Sequence, residues 1–155
     1  LQIPVEVNIF YRTPERMSAL LSHLYKIKDD NDLDVEILGE NPDAKIPGLE
    51  GPRANCCKNG IYESDVILVP LEDGDRCEAL VAMGKTVLVI DLNPLSRSAR
   101  MGSVTIVDEL SRVAKNLLTG SMQKIARFPR LDYDNDQHLQ AAIDHINSTL
   151  SSQEN

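Results

Sequence analysis

The sequence predicts an α/β fold in which helices cover both faces of a mostly parallel sheet. Short apolar segments, which are typical of strands, alternate along the chain with longer segments whose apolar residues recur at helical spacing. The later strand segments are continuously apolar, which is typical of parallel strands buried on both faces. We see no internal repeat or low-complexity tract that would favour a different architecture.

The first third of the chain predicts two strands on either side of one helix. VEVNIF (5–10) alternates apolar and polar residues, and DVEIL (34–38) is a second short strand. Between them, Thr13 is suited to cap a helix and Pro14 to occupy its first position. The apolar stripe of that helix contains Met17, Leu20, Leu21 and Leu24.

The middle of the chain predicts a long loop followed by the centre of the sheet. Residues 39–60 contain four glycines and three prolines, and we expect a functional or mobile loop there. DVILVP (65–70) and TVLVIDL (86–92) are predicted as strands buried on both faces. The segment between them, CEALVAMG (77–84), is predicted as a short helix that ends at a glycine cap. SVTIV (103–107) is the next strand.

Two helices are predicted to complete the fold. VDELSRVAKNLL (107–118) places Leu110, Val113 and Leu117 on one face. After a basic linker (124–130), either Asp134 or Asn135 is expected to cap a last helix. The residues that this helix is expected to bury are Leu139, Ile143, Ile146 and Leu150. We expect residues 1–150 to form a single domain, with 151–155 as a frayed tail.

Bulk properties exclude several classes of protein. A formal net charge of −8 would repel a polyanion, so we expect no nucleic acid partner. No apolar run reaches the length of about 18 residues that a membrane span needs, and the N-terminus lacks the features of a signal peptide. The three cysteines, Cys56, Cys57 and Cys77, form neither a disulfide framework nor a zinc pattern, so we expect reduced thiols in a cytoplasmic protein.

Charged and hydroxyl side chains are concentrated where ligands of parallel sheets bind, beyond the carboxyl ends of the strands. In VLVIDLNPLSRSAR (87–100), Asp91 and Asn93 could bind ribose or a base edge, while Arg97 and Arg100 could neutralise phosphate. Ser96 and Ser98 add hydroxyl groups. The alternative is a solvated turn in which the arginines pair with acids of the segment LEDGDR, which are Glu72, Asp73 and Asp75.

Two further groups could take part in chemistry. LEDGDR (71–76) holds three carboxylates that could bind Mg²⁺ or a substrate amine, with Asp73 and Asp75 as candidates. The alternative is a polar turn whose acids cap the following helix. Arg12 follows the first strand and could hold an anionic substrate, or it could stack on Tyr11.

Several long motifs together resemble one archaeal family. NIFYRTPER, NPDAKIPGLEGPR, GIYESDVILVPLEDGDRCEALVAMGKTVLVIDLNPLSRSAR and VTIVDEL resemble the 4-phosphopantoate–β-alanine ligases, also called phosphopantothenate synthetases. The resemblance extends from about Val5 to the last helix. It differs at Ser98, where the family usually has threonine, and at Met101 and Gly102, where it usually has threonine and alanine. It also implies an N-terminal segment before the first strand, which we expect this chain to lack.

This resemblance implies a Rossmann-like homodimer that catalyses an ATP-dependent step of coenzyme A biosynthesis. The reaction joins 4-phosphopantoate and β-alanine through an acyl-adenylate, releasing AMP and pyrophosphate, with Mg²⁺ as the expected metal. The implied ATP contacts are Asp91, Leu92, Asn93, Arg97, Ser98, Glu109 and Leu110. Our own hypothesis adds Asp73 or Asp75 as the group that holds or deprotonates β-alanine. The alternative function is a non-catalytic Rossmann-like module that binds ATP or a partner.

Overall fold

The computed structural model describes residues 3–70, 73–122 and 133–151. Contacts divide the chain into two units, residues 1–65 and 66–155, and each is described by itself. Both have α/β structure with parallel strand pairing, as the alternating pattern predicts. A single domain over residues 1–150 stays a prediction. Glu72, the linker 124–130 and the tail after Ser151 lie outside the described residues.

The first unit begins with a parallel strand pair connected by a long helix. Strand β1 (Val5–Glu6) pairs with β2 (Ile37–Leu38), and helix α1 (Pro14–Asp30) connects them. The predicted N-terminus of α1 is confirmed, because the Thr13 side chain accepts a hydrogen bond from the Arg16 N–H at 3.3 Å. The predicted stripe is also confirmed. Met17 and Leu21 are buried with Val7, and the residues packed around them are Ile9, Leu20, Leu24 and Ile37.

Strand β1 is shorter than predicted because its pairing with β2 ends at a sharp backbone turn. Gly39 directly follows β2 and has a φ of +106°, a conformation that L side chains rarely adopt. A Cβ added there would lie only 2.3 Å from the Val7 carbonyl oxygen. The last ladder bond, from the Val7 N–H to the Leu38 carbonyl, is 2.9 Å long. Gly39 therefore allows the two strands to approach closely, and their pairing ends at this residue.

The segment 39–60, predicted as a loop, contains regular structure. Strands β3 (Ala44–Lys45) and β4 (Asn55–Cys56) pair antiparallel, and a 3₁₀ helix (Pro52–Ala54) and a π-helical turn (Lys58–Tyr62) complete the segment. Ile46 and Cys56 are buried. Strands of two residues are too short to show a period of two, so the sequence pattern could not reveal them.

The Glu6 carboxylate connects β1 to the π-helical turn. Its two oxygens accept hydrogen bonds from the backbone N–H groups of Cys57 at 2.8 Å and Ile61 at 2.7 Å. The turn approaches so closely that a Cβ added at Gly60 would lie 2.2 Å from a Glu6 oxygen. Burial raises the pKa of Glu6 above its ordinary value of 4.5, although the two N–H donors act in the opposite direction.

Glu6→Ala is expected to lower the free energy of unfolding by about 2 kcal/mol, because two backbone donors lose their acceptor. Urea denaturation would measure the loss, with the exposed Glu36→Ala as the matched control.

The raised pKa of Glu6 also determines how the stability of the protein depends on pH. The part of the stability that depends on the ionisation of Glu6 is complete below about pH 4.5 and declines as the pH rises through its folded-state pKa. A variant as stable as the wild type would contradict this role.

The second unit is built on a three-stranded parallel sheet in the order β5-β6-β7, with Leu68 beside Leu88 and Leu88 beside Val104. Helices α2 and α3 connect consecutive strands and pack against each other. The elements of this unit are β5 (Val66–Val69), α2 (Gly74–Ala82), β6 (Thr86–Ile90), α3 (Arg97–Met101), β7 (Val104–Ile106), α4 (Leu110–Met122) and α5 (Asn135–Ser151).

The prediction that β5 is buried on both faces is wrong for this chain. Side chains alternate between the faces of a strand. Val69 is buried and lies beside buried Val89. Val66 and Leu68, on the opposite face, are 57% and 45% exposed. A continuous apolar run indicates that both faces of a strand are suited to burial. It does not indicate that other elements of the same chain cover both faces.

The last two helices bury less than predicted. On α4, Val113 is buried, whereas Leu110 and Leu117 are exposed. On α5, Asp134 acts as the predicted cap, since its carboxylate accepts a hydrogen bond from the Gln137 N–H at 3.1 Å. Of the predicted core residues of α5, Leu139 is buried, Ile143 is half-buried, and Ile146 and Leu150 are exposed. The stripe of α5 thus extends beyond the part of α3 and β7 that the helix contacts.

Within the described ranges, no helix is both long enough and apolar enough to cross a membrane.

Candidate functional site

The candidate site lies at the carboxyl edge of the three-stranded sheet. Because β5, β6 and β7 are parallel, their carboxyl ends share one edge. Each strand is followed by the start of a helix, so the N-termini of α2, α3 and α4 all follow this edge. The two polar segments that the sequence singled out, 71–76 and 87–100, therefore follow neighbouring strands.

Asp91 shapes the turn that follows β6. It is almost fully buried, and one carboxylate oxygen accepts a hydrogen bond from the Asn93 N–H at 2.9 Å. The other oxygen accepts a hydrogen bond from the Ser96 hydroxyl. The Asn93 side-chain oxygen accepts in turn from the Leu95 N–H at 3.0 Å. Such local bonds are typical of Asx turns. The carboxylate that the sequence assigned to ribose thus orders the loop from within.

The two serines of this loop are directed inward. Ser96 caps α3, because its hydroxyl accepts a hydrogen bond from the Ala99 N–H at 3.0 Å. Ser98 is fully buried, and its hydroxyl has no hydrogen-bond partner among the described residues. The Ala99 carbonyl accepts from the Thr105 hydroxyl at 2.7 Å and from the Asn135 side chain at 2.9 Å. These bonds hold α3 against β7 and α5.

Arg97 and Arg100 are both exposed to solvent, and the contacts of Arg97 are the better defined. The Arg97 side chain is 59% exposed, and its two terminal nitrogens donate to the carboxylates of Asp75 and Glu78 on α2. The Glu78 hydrogen bond, followed by the charge of Asp75, raises the pKa of Arg97 further above its ordinary value. The pairing with Asp75 is part of the alternative that the sequence left open. Because a guanidinium has five N–H donors, the two ion pairs leave donors for an anion.

Asp73 is a structural residue rather than an exposed one. Helix α2 begins three residues earlier than predicted, and the Asp73 carboxylate caps it by accepting from the Arg76 N–H at 3.2 Å. The same carboxylate forms an ion pair with the Arg76 guanidinium at 2.9 Å. The side chains of Asp73 and Arg76 are only 8% and 15% exposed. The structure therefore supports the alternative reading of the acidic segment, a helix cap.

Glu109 forms the corresponding cap at the start of α4. Its carboxylate accepts hydrogen bonds from the N–H groups of Ser111 at 3.0 Å and Arg112 at 3.1 Å, and from the Ser111 hydroxyl. These bonds, led by that of the Ser111 hydroxyl, lower the pKa of Glu109. Asp108 adds an ion pair with the Arg112 side chain at 2.6 Å. Glu109 is thus held as an anion that orders the loop after β7.

Apolar side chains are exposed beside these polar groups. Leu92 and Leu95 are 68% and 66% exposed, and Leu110 is exposed at the start of α4. The resemblance had implied Leu92 and Leu110 as contacts, whereas Leu95 was missed. The sequence already indicated that Leu95 would be exposed. It follows Pro94 in a strand-end loop, and it belongs to no strand or helix pattern of apolar residues that would bury it. Exposed leucines beside an arginine form a surface that suits a flat aromatic group attached to phosphates.

Arg12 belongs to the first unit, where it holds the backbone. Its guanidinium donates to the carbonyl oxygens of Gly39, and of Glu40 at 3.1 Å. The alternative that Arg12 stacks on Tyr11 is wrong, since the guanidinium near the Tyr11 ring belongs to Arg16, 6.0 Å from the ring centroid. Arg53 lies 4.8 Å from the centroid of Phe10. An anion-binding role for Arg12 stays a prediction.

Within the part of the chain that the structure describes, the metal-ligating and nucleophilic residue types form no further site. Among the described residues, no group of three or more His, Cys, Asp and Glu side chains is arranged to hold a metal ion. The three cysteines are buried and form no disulfide. Burial, followed by the charge of Asp73, raises the pKa of Cys77 to about 11. A thiol in that state is a poor nucleophile.

Comparisons with known proteins agree with the motifs. A family model described as phosphopantothenate/pantothenate synthetase matches residues 1–149. A 4-phosphopantoate–beta-alanine ligase of Thermococcus onnurineus is 45% identical to this chain over an alignment of 161 positions. The alignment covers 97% of this chain and 59% of the relative. Proteins of the same name are 46% identical in Thermococcus kodakarensis, over 97% of the chain and 59% of the relative, and 43% identical in Methanosarcina mazei, over 94% and 58%.

The chain thus spans about three-fifths of the length of these curated relatives. A family model that covers residues 1–149, together with identities above 40% over almost the whole chain, defines its membership. The chain therefore belongs to the phosphopantothenate/pantothenate synthetase family.

Proposed function

We propose that this chain carries the nucleotide site of an ATP-dependent ligase that joins 4-phosphopantoate and β-alanine to give 4′-phosphopantothenate in coenzyme A biosynthesis. The observation that carries this proposal is the 45% identity, over 97% of the chain, to a protein named 4-phosphopantoate–beta-alanine ligase. The geometry agrees with it, since one sheet edge presents an exposed arginine beside exposed apolar side chains.

The residues at the sheet edge divide into two groups. Leu92, Leu95 and Leu110 offer apolar surface for adenine, and Arg97 offers forked donors for phosphate. Asn93 is exposed and suits a base or ribose edge. In this proposal Asp91, Ser98 and Glu109 support the surface, because the first two are buried and Glu109 is engaged in capping bonds. The implied ATP contacts thus comprise exposed residues that would touch the nucleotide and residues that hold them in place.

The proposed chemistry requires positioning more than covalent help from the protein. The carboxylate of 4-phosphopantoate attacks the α-phosphorus of ATP, and pyrophosphate leaves. The amine of β-alanine then attacks the acyl carbon, and AMP leaves. Arg97 would stabilise the charge that develops on the phosphates. Mg²⁺ would enter with the phosphates of ATP, and we assign it no protein ligand among the described residues.

The partners we propose are the small-molecule substrates and a second copy of the protein, in the cytoplasm. Exposed apolar side chains on the last two helices support self-association, because a free surface of this kind is costly in water. They are Leu117, Leu118, Ile146 and Leu150. The three buried cysteines, which form no disulfide, suit a reducing compartment.

An assay of reaction products tests the proposed function directly. Incubation of the protein with ATP, 4-phosphopantoate and β-alanine should release AMP and pyrophosphate. Omission of 4-phosphopantoate should abolish the release of both, and omission of β-alanine should abolish the release of AMP. Separation of the nucleotides by ion-exchange chromatography would measure it. Stoichiometric ADP would contradict an adenylation mechanism.

The second candidate is a non-catalytic ATP-binding module. It is favoured by the use of Asp73, Asp91 and Glu109 as caps, since carboxylates in that role are held by the backbone rather than by a substrate. The same assay separates the two candidates. A module would bind ATP, as seen by calorimetry, and would release no AMP when both substrates are supplied.

A further inference from the structure

The first residues of α2 and α3 lie close together. Gly74 is the first residue of α2, and Arg97 is the first residue of α3. A Cβ added at Gly74 would lie 2.8 Å from Cγ of Arg97, 2.9 Å from its Cβ and 3.1 Å from its Cδ. Real Cβ atoms essentially never approach another atom within 3.0 Å. The stem of Arg97 therefore occupies the space that any other residue at position 74 would fill.

The end of the same side chain is also held by α2. The terminal nitrogens of Arg97 donate to Asp75 and Glu78, which lie one and four residues after Gly74. The side chains of Asp75 and Glu78 are 44% and 54% exposed, so solvent screens these pairs and they do not anchor the fold. What they determine is the direction in which the guanidinium points.

We propose that Gly74 is a positioning residue for the nucleotide site, because its missing side chain lets the stem of Arg97 cross the first turn of α2. This inference rests on the proposed function, in which Arg97 contacts the phosphates of ATP. It explains why a glycine occupies the first turn of a helix, where it is otherwise a poor choice. The backbone conformation does not require glycine there, since the described positive-φ glycines are Gly39, Gly48, Gly51 and Gly84.

Gly74→Ala should displace Arg97 and so weaken ATP binding. An added methyl group must move either the Arg97 stem or the start of α3, and both movements shift the guanidinium. We expect the Kd for ATP to rise about tenfold, as for loss of one charge-assisted contact. In an Arg97→Ala background, the same methyl group has no guanidinium to displace. The double variant should therefore bind ATP within about twofold of Arg97→Ala alone.

Gly84→Ala is the matched control at the opposite end of α2. Gly84 has a φ of +81°, and a Cβ added there meets no atom within 4 Å. The substitution therefore strains the backbone and should lower the melting temperature, while ATP affinity is retained. This control separates a general loss of stability from a displaced arginine.

Isothermal titration of ATP into the full 155-residue chain and its four variants decides the question. Weakened binding by Gly74→Ala that disappears in the Arg97→Ala background supports the proposal. Wild-type affinity in Gly74→Ala, or a loss that adds fully to that of Arg97→Ala, overturns it and leaves the proposed function intact. Absence of ATP binding by the wild type overturns the proposed nucleotide site itself, and the inference with it.

Discussion

Arg97→Ala is expected to raise the Kd for ATP by roughly 10- to 100-fold, the effect of about 1.5–3 kcal/mol for one lost charge-assisted contact. Arg97 is 59% exposed at the carboxyl edge of the sheet, and its side chain is directed by ion pairs with two carboxylates of α2. Those pairs are screened by solvent, so their loss should change the free energy of unfolding by less than about 1 kcal/mol. Affinity should therefore fall while stability is nearly unchanged.

Arg112→Ala provides the matched control for this prediction. Arg112 is 64% exposed and forms an ion pair with Asp108 at 2.6 Å, so it has the charge, exposure and pairing of Arg97. It lies in the first turn of α4 rather than in the loop after β6. Calorimetric titration of ATP into both variants measures the difference. Equal affinities would contradict a specific contact between Arg97 and ATP.

Arg97→Lys adds a second test of the same contact. Lysine keeps the charge but loses the planar fork that can bind two phosphate oxygens or two carboxylates at once. We expect an affinity between those of the wild type and Arg97→Ala. An affinity equal to that of the wild type would mean that the site uses a point charge, and that the double pairing with Asp75 and Glu78 is incidental to ATP binding.

The sequence predicts most reliably those features that depend on residues close together in the chain. Thr13 and Pro14 begin α1 as expected, and Gly84 ends the turn after α2 with a positive φ. The alternation of strands and helices likewise places the polar segments at the carboxyl ends of β5 and β6. Each of these inferences uses interactions within about five residues, for which spacing is sufficient evidence.

The features that the sequence did not reveal depend on distant partners. Glu6 contacts N–H groups more than 50 positions away, at Cys57 and Ile61. Ser98, implied as a contact, is fully buried. No local pattern distinguishes a serine that faces a ligand from one that faces the core. The exposed leucines of α4 and α5 show the converse case, in which residues predicted to be buried are exposed. An apolar stripe does not reveal how much of the helix packs against the rest of the protein.

Asp73 illustrates how the structure changes an expectation about chemistry. Asp73 and Asp75 are two residues apart, and from sequence both appear suited to a cation or a substrate amine. The structure separates them. Asp73 caps α2 and pairs with Arg76, and both side chains are largely buried. Asp75 is 44% exposed and pairs with Arg97. We therefore expect Asp73 to matter for folding and Asp75 for the electrostatics of the nucleotide site.

Asp73→Ala is expected to lower the free energy of unfolding by about 3 kcal/mol. Loss of the cap accounts for about 1 kcal/mol of this. The remainder arises because the ion pair between Asp73 and the Arg76 guanidinium is lost, and the loss of an ion pair between largely buried side chains is costly. Asp73→Asn should lose less, since asparagine caps helices as well as aspartate does and only the charge is removed. Asp75→Ala, the control, should lose less than about 1 kcal/mol.

Urea denaturation of the three variants, followed by circular dichroism, measures these differences. The order of stability should be Asp75→Ala, then Asp73→Asn, then Asp73→Ala as the least stable. Because Asp73 lies beneath the surface, Asp73→Asn should bind ATP with close to wild-type affinity wherever it is folded. A stable Asp73→Ala variant that had lost ATP-dependent turnover would reverse this assignment, and would return Asp73 to the catalytic role that its sequence neighbourhood suggests.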